Sequence, residues 1–246
     1  MEQTAVGELA GRVAVVTGAA GGLGRAIRAV FEREGAAVLP VDLRGDAFHA
    51  DVGTAEGNSA MVMKALELHG RLDTLVLNAG VQFMAPIDEF PEEQWDRLMN
   101  VMVKGPHAAI RTAWPHLIAR PGGRIVVTGS SLSFVGEAYK AAYVAAKHAV
   151  LGLVKVAALE GAPHGLCANA VAPGLMWTEL MENQLADQMR LHGLTRAEVI
   201  ERIDLFQPGR AVAVEEVAEV VCFLAGHRAS GISAACIPVD LGALAI

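Results

Sequence analysis

Short apolar runs alternate along the chain with longer stretches in which apolar residues recur at helical spacing. The first run, Arg12–Val16, predicts a buried strand, and Gly22–Glu34 places Leu23, Ile27 and Phe31 on one face of a helix. The same reasoning predicts further strands at Ala37–Val41 (ending at Asp42), His49–Val52, Thr74–Leu77, Arg124–Thr128, Leu166–Ala172 and Ala234–Val239, and helical segments at Ala55–His69, Pro91–Ala119, Ala141–Glu160 and Glu215–Ala225.

This alternation predicts an α/β fold, a single Rossmann-type doubly wound parallel sheet of about seven strands with helices on both faces. No repeat or linker divides the sequence, so we expect one domain over residues 1–246. The least regular region runs from Pro173 to Arg210. Its charged segment Thr178–Phe206 is either a surface helical hairpin or a mobile lid over a substrate. A long insertion after a strand's carboxyl end favours a lid, at about residues 175–210.

Composition excludes several classes of protein. Hydrophobic residues make up 53% of the 246 residues and charged residues 19%, which allows a large core. The net charge is −7 and no long basic run is present, so neither nucleic acid nor a membrane surface is an expected partner. We find no signal peptide and no apolar run near the roughly 18 residues of a membrane helix. We therefore expect a cytoplasmic protein whose three separated cysteines are free thiols, with no metal site.

The segment from Thr17 to Gly24 (TGAAGGLG) joins the first predicted strand to the first predicted helix. Glycines at this place permit a tight turn, let the backbone approach a pyrophosphate, and let helix and strand pack closely. The pyrophosphate would meet the free N–H groups at the helix N-terminus. In this context the loop predicts a dinucleotide-binding site.

Asp42 ends the second predicted strand. A carboxylate there can accept hydrogen bonds from the adenosine ribose and repels a 2′-phosphate, which favours NAD over NADP. Arg44 lies two residues further on and could soften that repulsion. Taken alone, Asp42 could be a turn residue at a strand end, but that interpretation is the weaker one beside the glycine loop.

Tyr143 and Lys147 are four residues apart on the predicted helix Ala141–Glu160 and therefore share a face. A neighbouring ammonium favours the phenolate, so we expect Lys147 to lower the pKa of Tyr143 and make it a usable acid and base. Ser130 follows the fifth predicted strand, where its hydroxyl could hydrogen-bond a substrate oxygen.

Across nearly its whole length the sequence resembles the short-chain dehydrogenase/reductase family. The resemblance rests on the glycine loop, Asp51-Val52, Asn78-Ala79-Gly80, Asn100, the Ser130, Tyr143 and Lys147 set, Pro173-Gly174 and Thr178. It implies cofactor contacts from Gly18, Gly22, Leu23, Gly24, Asp42, Asp51, Val52, Asn78, Ala79, Gly80, Tyr143, Lys147, Pro173, Gly174, Met176 and Thr178.

The resemblance also implies a mechanism and an assembly. Tyr143 takes the alcohol proton while hydride moves to the nicotinamide, Ser130 positions the substrate oxygen, Lys147 holds the ribose, and Asn100 supports a proton-relay water. A homotetramer is implied, with the Asn100–Ala119 and Tyr143–Glu160 helices at one interface, although their apolar faces would also suit burial in a monomer. The family's C-terminal V-D-G-G reads V-D-L-G here, which puts the usual C-terminal packing in doubt. The connection between the second and third strands is short and lacks the usual helix.

Within the family, the stretches NAGVQFMAPIDEFP, KAAYVAAKHAVLGL and FQPGR are most similar to D-3-hydroxybutyrate dehydrogenase-like members. The resemblance implies a carboxylate clamp made by Gln82, Lys140 and Gln184, and a small 3-hydroxy acid or related anionic substrate. Leu132 stands where those members have a histidine. Gln82 and Lys140 could instead be ordinary exposed polar residues. A neutral cyclic diol, a sugar or a biosynthetic ketone remains an alternative substrate, and a non-catalytic NAD-binding protein an alternative class.

Overall fold

Parallel strands form one sheet with helices on both faces in the computed structural model, which describes residues 7–206 and 210–245. Within these residues the sheet has seven strands in the order β3-β2-β1-β4-β5-β6-β7. The strands are β1 Val13–Thr17, β2 Ala37–Asp42, β3 Phe48–His49, β4 Thr74–Leu77, β5 Arg124–Thr128, β6 Cys167–Pro173 and β7 Cys236–Val239. The helices are α1 Gly22–Arg33, α2 Ala55–His69, α3 Glu92–Met99, α4 Gly105–Leu117, α5 Ala141–Gly161, α6 Glu179–His192, α7 Arg196–Phe206 and α8 Val214–Ala225.

The strand order reverses between β1 and β4. Strand β1 pairs with β2 on one side and with β4 on the other, so that Val15 lies opposite Leu39 of β2 and Leu75 of β4. From this pair the chain winds outward in both directions, which is the doubly wound topology that the sequence predicted. A crevice opens beyond the carboxyl ends of the strands at such a reversal, and ligands bind there in open α/β sheets.

Two hydrophobic cores cover the two faces of the sheet. On one face, buried residues of α2, α4 and α5, among them Met61, Leu117 and Val154, pack against the strands. On the other face α1 packs against α8 through residues such as Phe31 and Val221. Buried on both sides, the strands are continuous apolar runs, which is why the sequence pattern located them.

Local chemistry fixes where the second helix begins and ends. The Thr54 hydroxyl accepts a hydrogen bond from the Gly57 backbone N–H at 3.0 Å, which caps the first turn of α2. Gly70 ends the helix with φ 70°, a conformation that glycine adopts without steric cost.

Two predicted elements need correction. The third strand covers Phe48–His49, so Asp51 and Val52 lie beyond it in a turn. The Asp51 carboxylate accepts from the Gly53 N–H at 2.8 Å, which favours a turn over an extended strand. The stretch Pro91–Ala119 contains two helices joined by a π-helical turn, Asn100–Lys104. As expected, no helix lies between β2 and β3.

Helices α6 and α7 occupy most of the segment predicted to be a hairpin or a lid. They enclose a small apolar cluster of their own, built on Met181, Leu185 and Val199. Gly193, at φ 66°, ends α6 and allows the chain to reverse. The end of the predicted lid, residues 207–209, lies outside the described residues, as do residues 1–6, on which part of the signal-peptide prediction depends.

The segment Ala141–His164 consists of α5 and the short turn that follows it. By length and composition, this segment is long and apolar enough to cross a membrane. This corrects the expectation that no apolar run approaches that length. The helix packs against β5 and β6 and contributes to the core on that face, so it is a core helix of this fold.

The C-terminal V-D-L-G sequence keeps a tight turn despite its leucine. The Asp240 carboxylate accepts from the Gly242 N–H at 3.0 Å and from the Leu244 N–H at 2.9 Å. Leu241 between them adopts φ 54°, the left-handed region that favours glycine. The turn is therefore held by the aspartate, and the leucine carries backbone strain.

Candidate active site

A cleft of about 690 Å³ opens at the carboxyl edge of the sheet, over the strand reversal. Every residue for which the family resemblance implied a cofactor contact lines it, from Gly18 to Thr178. Ser130, Gln82 and Gln184 line it as well. The cleft is therefore the place where the sequence motifs converge.

The glycine loop forms one wall of the cleft, and close packing requires its glycines. Gly18 has φ 67°, and a Cβ there would lie 2.9 Å from the Ala79 Cα. A Cβ at Gly24 would collide with the Gly18 carbonyl oxygen. Gly21 precedes α1 without a side-chain cap, which leaves the first N–H groups of the helix without a side-chain partner. Such an N-terminus can hold a pyrophosphate, so these residues fit a dinucleotide.

Asp42 places a fixed negative charge at the edge of the same cleft. One carboxylate oxygen accepts from the Ala20 N–H at 3.0 Å, and the other accepts from the N–H groups of Leu43 at 2.8 Å and Arg44 at 3.1 Å. The Arg44 guanidinium pairs with Glu179 at the start of α6, at 3.1 Å. Both partners of this ion pair line the cleft, so it bridges the sheet edge and α6.

Hydrogen bonds tie together the ends of β1, β4 and β5 beneath the cleft. The Thr17 hydroxyl accepts from the backbone N–H groups of Asn78 and Ala79 at 3.0 and 3.1 Å. The Asn78 side chain donates to the Thr17 carbonyl oxygen at 3.0 Å and accepts from the Thr128 hydroxyl at 3.2 Å. Asn78 therefore acts in this structure as a link between three strands.

Tyr143 and Lys147 project from the first turns of α5 into the cleft wall. The Lys147 Nζ lies 5.4 Å from the centre of the Tyr143 ring. It is buried, and it donates to the Thr128 carbonyl oxygen at 2.6 Å. Ser130 caps the short turn after β5, where its hydroxyl accepts from the Leu132 N–H at 3.1 Å and also hydrogen-bonds to the Tyr143 phenol.

The electrostatics of this pair differ from the sequence prediction. Burial raises the pKa of Tyr143 to about 12; the hydrogen bond with Ser130 lowers it, and the negative charge of Glu137 raises it further. Burial also lowers the pKa of Lys147 to about 8. The expectation that Lys147 lowers the phenol pKa is wrong for this structure, because desolvation outweighs the interactions that favour the phenolate.

Three predicted site residues do not line the cleft. Asn100 begins the π-helical turn between α3 and α4, and Leu132 is half-buried in the turn after Ser130. Lys140, the residue before α5, is buried and forms an ion pair with Glu137 at 2.9 Å. The predicted carboxylate clamp is therefore incomplete here, because a carboxylate of this chain already binds its lysine.

Residues beyond the predicted set also line the cleft, most of them beside a predicted one in sequence. Thr128 and Gly129 precede Ser130, and helical spacing on α6 from Gln184 could have located Leu180 and Asp187. The full set is Gly21, Val41, Leu43, Arg44, Ala50, Val81, Phe83, Arg97, Val101, Thr128, Gly129, Glu179, Leu180, Asn183 and Asp187.

Within residues 7–206 and 210–245, no three histidine, cysteine, aspartate or glutamate side chains are grouped so that they could hold a metal ion. In the same part of the chain Cys167 and Cys222 are buried free thiols, and Cys236 is a half-buried one.

Comparison with known proteins agrees with this geometry. A family model described as short chain dehydrogenase matches residues 12–189. An uncharacterised oxidoreductase of Bacillus subtilis is 39% identical over 94% of this chain and 97% of its own length. D-beta-hydroxybutyrate dehydrogenase of Rhizobium meliloti is 35% identical over 94% of this chain and 98% of its own. The crystal structure of levodione reductase superposes with a TM-score of 0.90 at 29% identity, covering 96% of this chain and 99% of the other. The chain thus belongs to the short-chain dehydrogenase family of oxidoreductases.

Proposed function

We propose that this protein uses NAD(H) to interconvert a secondary alcohol and a ketone, in a small substrate that carries an anionic group, such as a 3-hydroxy acid. One observation carries the proposal. Ser130, Tyr143 and Lys147 line the same cleft as the glycine loop and Asp42. Acid–base chemistry and dinucleotide binding therefore have a common place in the molecule.

Each of these groups has a chemical task. The bound nicotinamide accepts or supplies the hydride. In alcohol oxidation the Tyr143 oxygen takes the hydroxyl proton, and in ketone reduction it returns that proton to the carbonyl oxygen. The Ser130 hydroxyl, already hydrogen-bonded to the phenol, orients the same substrate oxygen. The Lys147 ammonium is fixed by the Thr128 carbonyl oxygen, and it would hold the ribose hydroxyls of a bound cofactor.

Asp42 supports NAD over NADP. Three backbone N–H groups hold its carboxylate in place, so the negative charge cannot turn away from a 2′-phosphate without losing those bonds. Arg44, which could have offset the charge, pairs with Glu179. The cleft edge therefore favours a ribose with free hydroxyls.

Gln82 and Gln184 support a polar substrate. The Gln184 side chain is buried, and its Nε2 donates to the Leu180 carbonyl oxygen at 2.8 Å. Its Oε1 has no hydrogen-bond partner within the described part of the chain. The name of the Rhizobium meliloti relative supports a hydroxy acid. The Glu137–Lys140 pair favours the alternative, a neutral diol or sugar, because it neutralises the cation expected to bind an acid.

A substrate panel with a matched pair of tyrosine variants tests the proposal. Wild type is assayed with 3-hydroxy acids, their amides, cyclic diols and sugars, each with NAD and with NADP. We expect turnover of at least one secondary alcohol with NAD, and its loss in Tyr143→Phe. Tyr139→Phe removes the other phenol of the chain and serves as the control. Equal turnover in wild type and Tyr143→Phe would refute the assignment of the proton to Tyr143.

We also propose a cytoplasmic homotetramer in which α4 and α5 take part in one interface. Two apolar side chains of α5, Val156 and Leu159, are 51% and 74% exposed in the single chain. Apolar side chains this exposed on one helix are typical of a surface that another subunit covers. Light scattering coupled to size exclusion gives the mass; a monomer at micromolar concentration would contradict the assembly.

A further inference from the structure

We propose that Glu137 is a specificity-determining residue, which binds the Lys140 ammonium as an internal counter-ion and so competes with the carboxylate of an acidic substrate. The inference rests on the proposed function, since it concerns how the same cleft selects among alcohols. Glu137 was not among the candidate residues from the sequence. Its contacts with Lys140 and Gln188 in the structure are the reason for assigning it this role.

The ion pair is short and mostly removed from water. Lys140 Nζ lies 2.9 Å from Glu137 Oε1, and the two side chains are 8% and 31% exposed. An ammonium buried to this degree needs a partner anion, because desolvation of an isolated charge costs several kcal/mol. The anion that pairs with Lys140 in the absence of substrate thus belongs to the chain itself.

The turn that contains Glu137 and Lys140 is hydrogen-bonded to the segment that follows the cleft residue Gln82. Tyr139, between the two charged residues, has φ 68°, and its carbonyl oxygen accepts from the Ala85 N–H at 3.0 Å. Ala85 lies on the segment that begins with Gln82 at the cleft wall. The backbone thus holds Glu137 beside Lys140, and the flexible lysine stem is the part that can move.

Helix α6 connects this pair to the cleft. Gln188 is buried, and its Nε2 donates to Glu137 Oε1 at 3.3 Å. One turn earlier on the same helix, Gln184 lines the cleft with its unpartnered Oε1. Glu137 is also near enough to Tyr143 for its charge to raise the pKa of the phenol. Neither Glu137 nor Lys140 lines the cleft, but Gln188 and α6 link the ion pair to the cleft wall that Tyr143 and Gln184 form. A substrate carboxylate would therefore meet the ammonium only when the lysine stem turns toward the cleft.

The consequence is competition between two carboxylates for one ammonium. A substrate carboxylate that reaches Lys140 must replace Glu137, so part of its interaction with the cation is offset by the contact that is lost. A neutral substrate makes no such exchange. Replacing Glu137 by glutamine keeps the shape and the acceptor oxygen for Gln188 but removes the competing charge, which frees the ammonium for the substrate.

The test compares an acid with its amide, which match in shape and differ in charge. The ratio of kcat/KM for 3-hydroxybutyrate to that for 3-hydroxybutyramide is measured with NAD in wild type, Glu137→Gln, Lys140→Met and the double variant. We expect Glu137→Gln to raise the ratio about tenfold, as a charge-assisted hydrogen bond to a freed cation allows. The double variant should lose the increase.

Glu92→Gln is the matched control. Exposed Glu92 and Glu137 both line a surface groove between α3 and the start of α5, outside the cleft, and the replacement removes the same charge. It should leave the ratio unchanged. An unchanged or lower ratio in Glu137→Gln overturns the proposal. So does an increase that survives Lys140→Met, since the acid would then be bound by another cation, such as Arg97 on the cleft wall.

A second variant and a second measurement keep the outcomes distinct. If Glu137→Gln does not fold because Lys140 is left unpaired, Glu137→Asp retracts the carboxylate by one methylene group and should raise the ratio by a smaller factor; no change refutes the idea. Titration calorimetry with acetoacetate measures binding without hydride transfer. Absence of turnover in every variant would reject the proposed function, while tighter acetoacetate binding by the Glu137 variant would still support competition at Lys140.

Discussion

The Nζ atom of Lys147 donates its hydrogen bond to the carbonyl oxygen of Thr128 at 2.6 Å, and it lies 5.4 Å from the centre of the Tyr143 ring. The end of β5 thus orients the ammonium, while the tyrosine is hydrogen-bonded to Ser130. Burial moves the two pKa values in opposite directions, up for the phenol and down for the ammonium. The surroundings therefore favour the uncharged form of each group more than water does.

The first prediction concerns the pH dependence of alcohol oxidation. In the proposed oxidation the Tyr143 oxygen accepts a proton, and burial raises its pKa to about 12, so the active ionised fraction grows as the pH rises. We expect kcat/KM for oxidation to increase from about pH 6 to about pH 8 with a logarithmic slope approaching one, and to rise less steeply above about pH 8, where Lys147 loses its proton. Initial rates in buffers of constant ionic strength measure it. A flat profile over that range would contradict Tyr143 as the base.

The second prediction concerns stability and Lys147. Burial lowers its pKa from 10.5 to about 8, so between these values the unfolded chain binds the proton more tightly than the folded one. The free energy of unfolding of wild type should therefore rise with pH across this window, by up to roughly 3 kcal/mol relative to Lys147→Met. Denaturant titrations of both proteins at several pH values measure the difference. The contribution of Tyr143 is common to both and cancels, and parallel curves would exclude a depressed pKa.

The third prediction concerns cofactor choice. Asp42→Ser removes the charge that opposes a 2′-phosphate and keeps a small acceptor for the Ala20 N–H. We expect the kcat/KM ratio of NADP to NAD to increase by about tenfold or more, since about 1.4 kcal/mol corresponds to that factor. Asp46→Ser serves as the control, because Asp46 is an exposed acid of the same connection that pairs with Arg28 instead. A ratio that changes equally in both variants would show a general charge effect.

The sequence could predict those parts of the fold that depend on buried, uninterrupted apolar runs. Strands β4 and β5 agree with the prediction residue for residue, because Thr74–Leu77 and Arg124–Thr128 are buried throughout. Strand β3 was misplaced, because it has two residues and the turn at Asp51 has no apolar period. Motif spacing placed the glycine loop, Tyr143 and Lys147 at one cleft, since strand ends of a parallel sheet share an edge.

The Glu137–Lys140 contact and the raised pKa of Tyr143 could not be predicted from the sequence, and the reason is the same for both. Both depend on how much water the folded chain excludes. Both also depend on where the bend at Tyr139, with its positive φ, places the Glu137 side chain. Residue spacing carries neither quantity. The sequence located Lys140 near the site but could not show that a neighbouring acid holds it.

The fourth prediction concerns the C-terminal turn. Leu241 adopts φ 54°, which costs a residue with a Cβ about 1 kcal/mol or more relative to glycine. We expect Leu241→Gly to raise the free energy of unfolding by about 1 kcal/mol, after the greater entropy of glycine in the unfolded chain is allowed for. Leu241→Ala is the control, because it removes the side chain and keeps the strained backbone. If alanine stabilised the protein as much as glycine, side-chain packing and not backbone strain would be responsible.

The described side chains of α6 and α7 pack around Met181, Leu185 and Val199, and none of them belongs to either of the cores beside the sheet. Substitutions inside this small cluster therefore leave the two cores that cover the sheet intact, while they can reshape the part of the cleft wall that α6 forms. Such a segment can change in sequence while the support of the sheet is kept. For the proposed dehydrogenase, mutation of α6 and α7 is therefore a route to a different alcohol substrate.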